Sequence, residues 1–101
     1  MKISKDNSQQ SKINYISAIR EVTLKDFNGF DRNYFGVVYE TIGKNNPSYA
    51  VRFADIYKNL ANDYLNLTAP SDWLDFHRRE ILHFKNAEVV YRALAGYSED
   101  P

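Results

Sequence analysis

The stretch from Asn46 to Leu67 constrains this chain more than any other. Asn46-Pro47 is a helix start, because asparagine accepts a first-turn amide and proline at the first position has no amide to leave unpaired. Beyond it, Tyr49, Ala50, Phe53, Ile56, Tyr57, Leu60, Ala61, Tyr64 and Leu67 fall within one arc of about 140°. Arg52, Asp55, Lys58, Asn59, Asn62, Asp63 and Asn66 fill the other side. A helix with so wide an apolar face holds only against other elements. The rest of the chain has to provide them.

Helical spacing supplies three candidates. From Lys12 to Phe27, Ile13, Ile16, Ile19, Leu24 and Phe27 share a face, with Ser11 as cap and Asn28-Gly29 as stop. Over 32–43, Phe35, Val38, Tyr39 and Ile42 repeat the pattern. A strand competes there, since Tyr34-Phe35-Gly36-Val37-Val38-Tyr39 is rich in β-formers, but its apolar residues do not alternate. After Thr68-Ala69-Pro70, Ser71 opens a long helix that Gly96 closes, with Trp73, Phe76, Ile81, Phe84, Ala87, Tyr91 and Leu94 on its main face. Residues 1–11 are polar without apolar period and read as a flexible segment. The expectation is an all-α single domain over 12–101: an antiparallel four-helix bundle lacking one or more C-terminal helices. Its core should centre on Phe53, Leu60, Tyr64, Trp73, Phe84 and Tyr91.

The long helix carries a second apolar stripe. Leu82 and Val89 stand seven residues apart, about half a turn from the Trp73–Phe84–Tyr91 line. A helix apolar on two sides has neighbours on both. Ser98-Glu99-Asp100-Pro101 resembles a further helix start, so the missing neighbour is expected from an absent helix or from another chain.

Composition closes several functional classes. Thirteen Lys and Arg balance thirteen Asp and Glu, without the basic surplus that nucleic-acid binders use to release counterions. No apolar run of about 18 residues could span a membrane, and the first residues are not an intact secretory signal. Without cysteine there are no disulfides, thiolate nucleophiles or cysteine metal sites. Eight tyrosines suit the margin of a small core, where the ring is buried and the hydroxyl wet.

Catalytic chemistry is sparse. Glu80-Ile81-Leu82-His83 has the Glu-x-x-His spacing of di-metal bundles, but that architecture needs the motif twice with two further glutamates, so neither a metal nor a cofactor is expected. His77 and Glu80 lie one turn apart within the apolar face beside Trp73 and Phe84. They should either satisfy each other or a loop carbonyl and so fix helix packing, or act as an acid–base couple in a pocket. Arg78, Arg79, Lys85 and Arg92 point in different directions and read as solvated charges facing Asp72, Asp75 and Glu88. No phosphate-binding loop or nucleophile elbow is present.

The run Pro70-Ser71-Asp72-Trp73-Leu74-Asp75-Phe76-His77, then Ile81-Leu82, then Asp100-Pro101, resembles a group of uncharacterised helical proteins of genome-reduced bacteria. Tyr64-Leu65-Asn66-Leu67 is similar to the group's run before its proline. The likeness spans about the last forty residues, and His83 stands where the group has asparagine. It implies a membrane-tethered or exported protein whose N-terminal anchor has been trimmed. The expected function is a non-enzymatic interaction or scaffold domain that binds a protein partner or itself, extracytoplasmic if the resemblance holds. The alternatives are a small-ligand-binding or enzymatic bundle using His77 and Glu80, and a small cytoplasmic regulator that binds a protein.

Overall fold

In the computed structural model, which describes residues 1–97, the chain is predominantly helical. The elements are β1 (Lys2–Ser4), α1 (Gln9–Asp26), α2 (Tyr34–Val38, running into a π-helical turn Tyr39–Gly43), α3 (Ser48–Leu65), β2 (Thr68–Pro70) and α4 (Leu74–Tyr97, after a 3-10 turn Ser71–Trp73). No described helix is long and apolar enough to cross a membrane. The helix start read at Asp100-Pro101 lies outside the described residues.

α3 and α4 form an antiparallel hairpin, and aromatic rings mark its seam. Phe53 meets Tyr91 at 4.5 Å, Tyr57 stacks on Tyr91 at 5.7 Å, and Tyr64 meets Phe84 at 4.9 Å edge-on. Leu60, Ala61, Ile81 and Ala95 complete the buried cluster. The face read from the α3 sequence is the face that is buried. Trp73, expected at the centre of the core, is only half-buried and Phe76 is exposed, because this end of the hairpin is open to solvent; Ala87 and Leu94 are half-buried beside the seam.

α1 packs mainly along α3, with Phe27 edge-on to Phe53 and Tyr57. Its rotation differs from expectation. Tyr15 is its buried residue, while Ile13, Ile16 and Leu24 face solvent. The Tyr15 hydroxyl finds a buried hydrogen-bond partner on α4, which a face of isoleucines could not supply. Gly29 takes φ 78° and reverses the chain towards α2. α2 also turns the opposite way from the sequence reading. Val37, Glu40 and Thr41 are buried, and Phe35, Tyr39 and Ile42 are exposed. Val37 joins the cluster of Ala50 and Ala54, and Glu40 draws Arg32 (3.7 Å) and Lys44 (3.5 Å) around itself. With one short element across the hairpin's end, the molecule does not have four comparable helices.

The first eleven residues are not a free tail. β1 pairs in parallel with β2, Lys2 opposite Thr68, Ile3 opposite Ala69 and Ser4 opposite Pro70. Asn7 then caps the start of the last helix across 65 residues of sequence: its Oδ1 accepts the Asp72 amide at 2.9 Å, and its Nδ2 donates to Ser71 Oγ at 2.8 Å. Ser71 is therefore held by a cap and is not the cap itself. Ser8, three residues ahead of Ser11, caps α1 by accepting the Ser11 amide at 3.2 Å. Gly96 does not stop α4, which continues through Tyr97.

The shape is extended, 49 × 22 × 17 Å, with a radius of gyration of 15.9 Å where a compact chain of this length has about 13 Å. Its accessible surface of 6540 Å² exceeds the roughly 5,900 Å² usual for its mass. Both follow from a core that is a single seam. Leu60, 1% exposed at the middle of that seam, has no room to relax. Leu60→Ala is expected to cost about 2–5 kcal/mol in denaturant unfolding, and a loss below about 0.5 kcal/mol would refute the seam.

Candidate functional site

His77 is fully buried in the first turns of α4. The Tyr15 hydroxyl lies 2.6 Å from its Nδ1, its ring stacks on Tyr64 at 5.9 Å, and its Nε2 has no hydrogen-bond partner among the described residues. Burial pushes the His77 pKa below its ordinary value, with the Tyr64 backbone carbonyl working the other way. Burial also pushes Tyr15 up to about 12, helped by Tyr64 and the Glu80 charge. At neutral pH the phenol keeps its proton and shares a hydrogen bond with a neutral imidazole. Both groups are held in their uncharged forms, and the contact pins α1 to α4.

The pairing expected within α4 is thus replaced by one between helices. Glu80 is half-buried and acts on Tyr15 and Tyr64 only through its charge. His83 is exposed, and no cluster of three or more His, Asp or Glu among the described residues could hold a metal. Tyr15 is 62 residues from His77, and no spacing rule links the two.

Beside this pin, between α1 and the start of α4, lies an open and almost wholly apolar cleft of about 490 Å³. Tyr15, Ile16, Ile19, Trp73 and Phe76 line it; His77 and Glu80 do not. A more polar groove of about 330 Å³, which includes Ser4, Asp6 and Asn14, runs along the other side of Tyr15.

The outer face of α4 is the second candidate. Leu82 is 59% exposed and Val89 68%, so the stripe seen in the sequence has no cover among the described residues. With Asn86, Val90, Ala93 and Tyr97 they span an exposed arc of about 100° over four turns. His83 and Gly96 lie at its edges, and no Asp, Glu, Lys or Arg falls inside it. The charges of this part of α4 sit on one flank, where Arg92 meets Asp55 at 2.9 Å and Glu88 at 2.7 Å. The outer face of α3 is the internal contrast: Arg52, Asp55, Lys58, Asn59 and Asn62 are all exposed. Phe35, 77% exposed, adds a smaller apolar point with Tyr39 and Ile42 on α2.

No family model matches this chain, and no curated protein or solved structure was found to be similar to it.

Two buried groups give stability opposite dependences on pH. His77 has a lowered folded pKa, so its contribution is complete above the unfolded value of about 6.5 and is lost as pH falls through it. Asp26, buried against Asp63, is raised to about 6, with Lys25 opposing the shift. Its contribution is complete below 3.8 and lost as pH rises through 6. Asp26→Asn should therefore stabilise the protein at pH 7.5, with the gain shrinking as pH falls towards 4. His77→Gln should destabilise it at pH 7.5 and by less at pH 5.5. Denaturant midpoints of the two variants across this range check both signs, and parallel profiles for variants and wild type would contradict them.

Proposed function

We propose that this chain works by binding and not by catalysis, as a helical interaction module whose docking surface is the outer face of α4. One observation carries the reading: an exposed helix face four turns long without a charge, on a hairpin whose other outer face is charged in the ordinary way. Solvated helix faces keep charges, whereas the centres of protein interfaces are depleted in them. The resemblance in the last forty residues concerns location, and an exported or tethered module of this kind agrees with it. A cytoplasmic binding regulator would use the same surface. A photo-crosslinking side chain at position 90 in cells should give adducts that the same side chain at position 59, on α3, does not. Equal labelling at both positions, or none at either, would overturn the proposal.

The apolar cleft supports a second reading, binding of a small apolar ligand. Its volume falls within the usual range for ligand sites, and Trp73, the only tryptophan, lines it. Titration with an apolar dye should give a saturable change in Trp73 emission that Ile16→Asp abolishes. A linear, unsaturable response would remove this reading.

A further inference from the structure

The two ends of α1 are fastened by contacts with opposite needs for a proton. We infer that pH decides which end of α1 is held tight against the α3–α4 hairpin: the end bearing Asp26 in mild acid, the end bearing Tyr15 at neutral pH. This conformational device goes beyond the interaction reading and does not depend on it.

Asp26 is the last residue of α1, and Asp63 lies in the last turn of α3. The Asp26 side chain is 6% exposed, and its Oδ2 meets no donor among the described residues. One ammonium serves both carboxyls: Lys25 Nζ is 3.0 Å from Asp63 and 4.0 Å from Asp26, so it favours Asp63. The two carboxyls are hydrogen-bonded to each other. A carboxylate has no donor, so that bond exists only while one partner keeps its proton. Position adds to the preference, because the carbonyl end of a helix disfavours negative charge. Lys25 of α1 and Asp63 of α3 are the charged groups acting on Asp26, and with burial as the largest cause its carboxyl rises to about 6. Above that value two carboxylates share one lysine in a place short of water, and the contact weakens.

At the Tyr15 end the proton is unwelcome. His77 is fully buried, with the Tyr15 hydroxyl 2.6 Å from its Nδ1. Tyr15 of α1, Tyr64 of α3 and the Met1 ammonium ahead of β1 act on the ring, and the Glu80 charge of α4 acts on the two tyrosines. Burial disfavours the imidazolium and the Met1 ammonium repels it, while the Tyr64 carbonyl favours it. This contact is therefore complete above the ordinary value of about 6.5 and is lost as pH falls through it.

The two contacts respond over the same range with opposite signs. An end that opens returns its group to the ordinary value, which for Asp26 is 3.8. The ratio of open to closed at the Asp26 end then rises about tenfold between pH 5 and 7.5. Over the same interval the ratio at the Tyr15 end falls. What each end covers also differs. The Asp26 end lays Phe27 against Phe53 and Tyr57, whereas the Tyr15 end walls the apolar cleft with Ile16 and Ile19.

Hydrogen exchange of the purified chain tests both ends at once, read as protection factors so that the intrinsic effect of pH is removed. Amides 23–26 should lose about tenfold in protection between pH 5 and 7.5, while amides 15–19 gain. Asp26→Asn should abolish the loss at 23–26 and leave the gain at 15–19. Asp63→Asn should also flatten the response at 23–26, and His77→Gln the response at 15–19. NMR titration of the wild type needs no variant: the Asp26 carboxyl should titrate near 6 and the His77 ring below 6.5. Protection that changes in the same direction at both ends, an Asp26 carboxyl that titrates near 3.8, or a response at 23–26 that survives both asparagine variants would overturn the inference.

Discussion

The aromatic seam between α3 and α4 is the contact on which everything else depends. Phe53, Tyr57 and Tyr64 of α3 mesh with Tyr91 and Phe84 of α4 at ring distances of 4.5 to 5.9 Å. Such pairs contribute about 0.5–1.5 kcal/mol each beyond the area they bury, and their geometry fixes register as greasy aliphatic contacts do not. The succession continues beyond the seam. At one end Phe30 stacks on Phe53 at 5.0 Å, and at the other Tyr64 stacks on His77, which meets Tyr15. The rings thus join the hairpin to α1 and to the loop before α2. A core that is one row of rings is long and thin, and the molecule takes its extended shape from it.

Tyr15 and His77 govern the rotation of α1. A buried imidazole without a partner is costly, and the phenol that meets its Nδ1 can reach it only if Tyr15 turns inward. Ile13 and Ile16 turn outward as a result, and Ile16 becomes a wall of the apolar cleft. One polar contact therefore decides which isoleucines are covered and which line a surface available for binding. The latch formed by Asn7 and by Lys12, which meets Asp72 at 3.1 Å and lies over the Trp73 ring, holds the same corner from the other side.

The α4 face draws its character from the same seam. Because the ring-bearing side of α4 already covers α3, its Leu82–Tyr97 side faces solvent among the described residues. Leaving that uncharged face in water forgoes about 25 cal/mol for each Å² of apolar surface that a partner would cover. The interaction reading follows from that imbalance.

What the sequence determined by itself was local and periodic. The amphipathic period of α3, the Asn46-Pro47 start, the stop at Gly29 and the second stripe of α4 were all legible, because each depends on helical spacing alone. The exposure of Leu82 and Val89 followed from the same arithmetic. Only tertiary structure decided the rest. The rotation of α1 hangs on a hydrogen bond across 62 residues, the α4 cap on an asparagine 65 residues away, and β1 on pairing with Thr68–Pro70. On α2 two faces were similarly apolar, and the docking site chose Val37 over Phe35. Period tells which residues share a face of a helix. Which face is covered, and which polar group meets which across the fold, is set by long-range contacts that no local pattern encodes.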